Sequence, residues 1–176
     1  MGNEILVDGY NVIKRSASFQ SLGAKNLEYA RQQLITQLLN RYRHTPHRVT
    51  VVFDGSGMHE QVQHKQRIRI IYSRYGETAD GVIARLAAAA RAEGSTVEMY
   101  SDDREVQQAV SQQGGEIRTT AQLTDQLNAP SRDVGRRYRH RMAIRKKYGL
   151  DPKYYHDDEI ESLHSPGKKK NSHRKR

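Results

Sequence analysis

The chain of 176 residues contains no cysteine and no tryptophan, and only two phenylalanines and four prolines. Without thiols it can form neither disulfides nor thiolate metal sites, so a metal would have to be held by carboxylates or imidazoles. No apolar run approaches the roughly 18 residues that mark a membrane span. A strand-like segment begins at once, with no basic region and long apolar stretch before it. The expectation is a soluble, cytoplasmic protein with no membrane partner. Also missing are a P-loop or G-x-G-x-x-G after the first strand and an Asp-x-Asp pair within it. Their absence argues against a nucleotide-binding or phosphatase-type α/β protein and against a small-molecule cofactor.

What the chain has in excess is positive charge. The formal net charge is +10, which points to a polyanionic partner, most simply nucleic acid. Its distribution says more than its sum. Residues 1–128 carry 15 Lys+Arg against 14 Asp+Glu, whereas residues 129–176 carry 15 against 6. Nine of the ten net charges therefore lie in the last 48 residues. The pattern predicts a near-neutral globular unit, residues 1–128, followed by a basic helical extension and a flexible Lys/Arg-rich tail, residues 129–176, with Ala129-Pro130-Ser131 at the boundary. A unit of that size should bury about two-thirds of its unfolded surface, enough for one core.

Within that unit strand-like and helix-like patterns alternate. Glu4–Asp8, Val49–Phe53, Ile68–Tyr72 and Thr96–Tyr100 read as strands, with a short fifth around Ile117. Leu27, Ala30, Leu34, Ile35 and Leu38 recur at helical spacing. Ala79–Glu93 reads as an Ala-rich helix stopped by Gly94, and helices are expected from Asp103 to Gln113 and over Thr120–Asn128. This order predicts an α/β fold with a mostly parallel central sheet. Arg132–Tyr148 is a further helical candidate with eight basic residues, and the end from Gly167 onward should be disordered.

Four carboxylates occupy matching places in the alternation. Asp8 follows the first strand, Asp54 the second and Asp102 the Thr96–Tyr100 strand, while Asp80 opens the Ala-rich helix three residues after Glu77. In open α/β sheets ligands bind outside the carboxyl ends of the strands. Clustered carboxylates repel, by about 4 kcal/mol for a pair at about 4 Å and an effective dielectric near 20, and a bound cation relieves that repulsion. Oxygen-only ligands favour Mg2+ or Mn2+, which can activate water or bridge the oxygens of a phosphoryl displacement. Plainer readings exist for each acid. Asp54-Gly55 is a turn pair, Asp80 suits a first helical turn capped by Thr78, and Asp102 with Glu105 suits a capping arrangement. Asn11 is either a helix cap or an amide that orients water or phosphate. Ser101 fits a cap, and Asp103 and Glu77 are secondary acids. His44 with His47, and His59 with His64, sit in polar segments that read as solvated loops. Residues 55–67 read equally as an RNA-contacting loop or an ordinary connection. Tyr10, Tyr138 and Tyr148 suit base stacking, with packing the simpler role.

Leu6-Val7-Asp8-Gly9-Tyr10-Asn11, Val51-Val52-Phe53-Asp54, Glu77-Thr78-Ala79-Asp80 and Ser101-Asp102 together resemble the NYN domains, a branch of the PIN-like nucleases. Among these the chain is most similar to the YacP type of ribosome-associated endoribonuclease. The resemblance implies a three-layer PIN-like fold. It also implies a Mg2+ or Mn2+ site at Asp8, Asp54, Asp80 and Asp102, with those acids catalytic and Asn11 supporting. The expected activity is endonucleolytic cleavage of single-stranded RNA or mRNA, with RNA and the ribosome as partners. Arg136, Arg137, Arg139, Arg141, Arg145, Lys146 and Lys147 are the expected backbone-gripping residues. The rival expectation is a non-catalytic RNA- or ribosome-binding protein on the same fold.

Overall fold

The computed structural model describes residues 2–129 and the backbone of 132–148, with side chains of the latter from 139 onward. The chain divides into two compact units, Met1–Ser131 and Arg132–Arg176.

The first unit is built on a six-stranded sheet in the order β3-β4-β2-β1-β5-β6. The strands are β1 (Glu4–Asp8), β2 (Arg48–Gly57), β3 (Gln61–Lys65), β4 (Ile68–Arg74), β5 (Val97–Tyr100) and β6 (Glu116–Arg118). All neighbours pair in parallel except β3, which runs antiparallel to β4 at the edge. Strand β1 lies between β2 and β5, so the direction of winding reverses beside it. That switch point opens a crevice at the carboxyl ends of β1 and β5.

Alternation along the strands sorts their side chains into two apolar layers. Ile5 and Val7 of β1, Val49, Val51 and Phe53 of β2, and Ile68 and Ile70 of β4 join one core. This core is covered by α1 (Gly9–Arg15), α2 (Ala17–Lys25), α3 (Leu27–Tyr42) and α6 (Thr120–Asn128). Leu6, Val52, Ile71, Val97 and Met99 face the opposite layer, against α4 (Ala79–Ala92) and α5 (Arg104–Gln112). The result is a three-layer α/β sandwich with a mostly parallel centre, as the alternation of patterns predicts.

Local chemistry sets the boundaries. Thr78 caps α4 by accepting from the Gly81 N–H, and Gly94 leaves the helix at φ +75°, a conformation that favours glycine. Thr119 and Gln122 form a reciprocal capping box at α6. The structure adds elements that the sequence pattern does not announce. Residues 55–67 are largely strand rather than loop, because β2 runs on to Gly57 and β3 follows, folded back in a hairpin with β4. Helices α1 and α2 fill the stretch before α3. In the second unit, α7 (Arg132–Lys147) carries the expected basic residues; Arg139, Arg141, Arg145, Lys146 and Lys147 are exposed. The side chains of Arg136, Arg137 and Tyr138, and the tail from 149, lie outside the described residues. No helix among the described residues is long and apolar enough to cross a membrane.

Candidate active site

Asp8 is the last residue of β1 and the N-cap of α1, so strand and helix both fix its position. Its Oδ1 accepts from the Asn11 N–H at 3.0 Å and its Oδ2 from the Ser101 hydroxyl at 3.2 Å. The residue is 6% exposed. Burial pushes its carboxyl above the ordinary value; the bonds from Asn11 and Ser101 oppose that rise, and the charges of Asp54 and Asp103 add to it. A buried acid held by two donors, with no cation paired to it among the described residues, is an unusual element for a fold to keep.

Asp54, expected to follow its strand, lies within β2, just past Phe53 where the register with β4 shifts. Its Oδ1 accepts from the Ala79 N–H at 2.8 Å, which ties this part of β2 to the first turn of α4. Asp80 follows in that turn and accepts no hydrogen bond among the described residues. Its carboxyl is raised to about 6, first by partial burial and then by the charges of Asp8, Asp103, Asp54 and Glu105. Asp8, Asp54, Asp80 and Asp103 therefore share one region of negative field.

Asp102 is placed differently. Its Oδ1 accepts from the Thr120 N–H at 3.1 Å and its Oδ2 from the Thr120 hydroxyl at 2.5 Å, so both oxygens are committed to the start of α6. Its own N–H donates to Asn11 Oδ1 at 2.9 Å. Asn11 thus clips the end of β1 to the end of β5. Ser101, fully buried, links Asp8 to the Asp103 N–H at 3.1 Å. The acid of this segment that acts electrostatically on Asp8 and Asp80 is Asp103, whose side chain also caps α5 through the Glu105 N–H at 2.9 Å. The sequence marks both aspartates, but which of two neighbours faces the crevice depends on how the chain leaves β5.

Asp80 gives a direct test of the shared field. Its folded-state pKa lies above the unfolded value of 3.8, so between pH 4 and 6 the folded state holds the extra proton. The stability of the metal-free protein then falls as pH rises through that window. Asp80→Asn removes the penalty. The difference in melting temperature between Asp80→Asn and the parent should be near zero below pH 4 and grow in favour of the variant up to about pH 6. Calorimetry in EDTA measures it, and a pH-independent difference would contradict the coupling.

The donors are all oxygen, and they fit a hard divalent cation by their chemistry. Among the described residues, no three His, Asp or Glu side chains form a ready-made metal cage. The acids are gathered without being closed around a point.

A parallel sheet with acids collected at its carboxyl edge, in this strand order, belongs to the NYN and PIN-like class of nuclease-like proteins, which generally use divalent metals. The YacP-like NYN domain matches residues 5–165, and the chain belongs to that family. It is 32% identical over 138 residues to the uncharacterized protein YacP of Bacillus subtilis (strain 168), covering 77% of this chain and 81% of the relative. Two crystal structures of Rae1 (YacP) from Bacillus subtilis are similar. One, a point mutant, has a TM-score of 0.67 at 29% identity and covers 80% of this chain and 84% of the other. The second has a TM-score of 0.62 at 26% identity, with 92% of each chain covered.

Proposed function

We propose that the protein is a divalent-metal-dependent endoribonuclease that cleaves single-stranded RNA or mRNA, in association with the ribosome. The observation that carries this reading is the region of negative field shared by Asp8, Asp54, Asp80 and Asp103 at the switch point of the sheet. Asp80 there is raised to about 6 without any cation among the described residues to balance it. A protein that only binds polyanions gains nothing from such a cluster.

In this proposal Asp8, Asp54, Asp80 and Asp102 would hold Mg2+ or Mn2+, with Asp103 as a further acid beside them. Asp102 would also position the site through Thr120 and Asn11. Bound metal would supply Lewis-acid stabilisation of the phosphodiester and a more acidic water. The chain's part is to hold the charge ready. Asn11 and Ser101 fix Asp8, and the backbone of α4 fixes one oxygen of Asp54. Asp80 must lose its proton to take a cation, so metal affinity should rise with pH through about 6. The exposed cations of α7 (Arg139, Arg141, Arg145, Lys146 and Lys147) would grip backbone phosphates, with Arg136 and Arg137 added by sequence alone. Binding should then weaken steeply with salt.

The experiment is incubation of purified protein with single-stranded RNA and Mn2+ or Mg2+. Cleavage giving 5′-phosphate and 3′-hydroxyl ends, abolished by EDTA, is expected. Cleavage undiminished by EDTA would overturn the metal site. RNA binding without any divalent-ion binding would favour the rival reading, a non-catalytic RNA- or ribosome-binding protein.

A further inference from the structure

Beside Asp54 the surface opens into a cavity of about 370 Å3. Its walls include Tyr10, Arg31, Gly57, Tyr72 and Ser73, and Asp54 forms part of its rim. The volume suits a small organic ligand the size of a nucleoside, at the lower end of the about 300–1,000 Å3 typical of such pockets.

Ring contacts pack one side of the pocket. Phe53, fully buried, stacks on Tyr72 with ring centroids 5.6 Å apart and meets Tyr10 edge-on at 5.1 Å. The Arg31 guanidinium lies 5.7 Å from the Tyr72 ring centroid and donates to the Tyr10 hydroxyl at 2.9 Å. A cation and two phenols, all only partly buried, thus stand beside an acid of the candidate catalytic cluster. The end of β2, the link to β3 and the facing residues of β4 line the cavity, and the loop after β4 begins beside them. The Tyr75 N–H donates to the Gly57 carbonyl at 2.7 Å, which fixes Tyr75 against a residue that lines the cavity. Tyr75 is 77% exposed and Met58, next to Gly57, is 83% exposed. Both are large side chains turned to solvent, one tied through its backbone to the cavity-lining Gly57 and the other next to it in sequence.

We infer that this pocket and the adjoining Tyr75 form a subsite for single-stranded RNA. One nucleotide next to the scissile phosphate sits in the cavity against the paired Arg31 and Tyr10 and the Tyr72 hydroxyl, and the neighbouring base stacks on Tyr75. Aromatic stacking tolerates any base, so the subsite selects for unpaired strands rather than for sequence. The inference rests on the nuclease reading for the position of the scissile phosphate, but the binding it predicts can be measured without cleavage.

The probe is a fluorescently labelled octa-adenylate, titrated with the full-length protein in EDTA. Tyr75→Ala should weaken binding about tenfold, the loss expected for one stacked base, while Tyr75→Phe stays within about twofold of the parent. Arg31→Gln, which also gives up the bond to Tyr10 and the ion pair with Glu28, should weaken binding about tenfold as well. Because Tyr75 is exposed, its removal leaves the fold intact and that variant suffices alone. Binding of Tyr75→Ala within about twofold of the parent overturns the subsite. So does an equal dependence on Tyr75 when the octa-adenylate is paired into a duplex. If Tyr75→Ala loses affinity but Mn2+ promotes no cleavage by the parent, the subsite stands and the catalytic reading falls. Metal-dependent cleavage together with unchanged binding by Tyr75→Ala keeps the catalytic reading and removes the subsite.

Discussion

Asp8→Asn should abolish metal-dependent RNA cleavage, lowering the rate by more than about 100-fold, while leaving the fold as stable as before or more so. The two halves of that result have separate physical origins. Asparagine keeps an oxygen where Asp8 Oδ1 accepts from the Asn11 N–H, so the cap of α1 survives. Its amide can donate to the Ser101 oxygen, which also accepts from the Asp103 N–H, at the cost of the bond that the Ser101 proton made to Asp8. The substitution also removes a buried charge that burial and two neighbouring acids disfavour. The relief of the buried charge offsets the lost bond from Ser101, so stability should change little or rise. Activity falls, because a metal-stabilised phosphoryl transfer draws several kcal/mol from the bound cation, and an amide cannot replace a buried carboxylate as its anchor. Rates measured in Mn2+ beside thermal melts in EDTA check both halves. Full activity in Asp8→Asn would remove this residue from the proposed site, and a collapsed fold would make its role structural.

The contrast between Asp8 and Asp102 shows what was legible in the sequence. Buried parallel strands are written as apolar runs, so β1, β2, β4 and β5 are visible, and the acids that end them can be numbered. The helical spacing of Leu34, Ile35 and Leu38 and the Ala-rich face of α4 are equally plain. Direction is not written in the same way. Asp102 and Asp103 are adjacent, and only the path of the chain out of β5 sends one carboxylate to Thr120 and leaves the other near Asp80. Strand β3 was hidden for a related reason. Gln61-Val62-Gln63-His64-Lys65 is exposed throughout and pairs only along one edge, so it has no apolar face to reveal a period of two. Helices α1 and α2 are short, and α1 begins on an aspartate that also ends a strand. Tyr75 carries no signal at all in a single sequence, since its exposure comes from the loop that holds it.

Phe53 joins the core to the site, and its removal should have the largest effect on stability. The ring is fully buried, packs on Tyr10 and Tyr72, and immediately precedes Asp54. Phe53→Ala should cost about 3–5 kcal/mol, a large part of the roughly 5–15 kcal/mol that holds a typical domain folded. The same ring explains why the residue after Asp8 is glycine. A Cβ on Gly9 would stand 2.2 Å from Phe53 Cε1, a contact that a fully buried ring cannot yield to freely. Gly9→Ala alone should therefore be destabilising by about 1–3 kcal/mol through overpacking. In the Phe53→Ala background the atom that the new methyl strikes is gone, and the methyl enters the vacated space. The double variant should then be more stable than the sum of the single losses predicts, by an amount within the roughly 0.5–3 kcal/mol found for touching residues. Urea denaturation of the four proteins in the cycle measures the coupling. Strict additivity would mean that Gly9 is required for the backbone turn into α1 and not for the close approach of Phe53 to the Gly9 backbone.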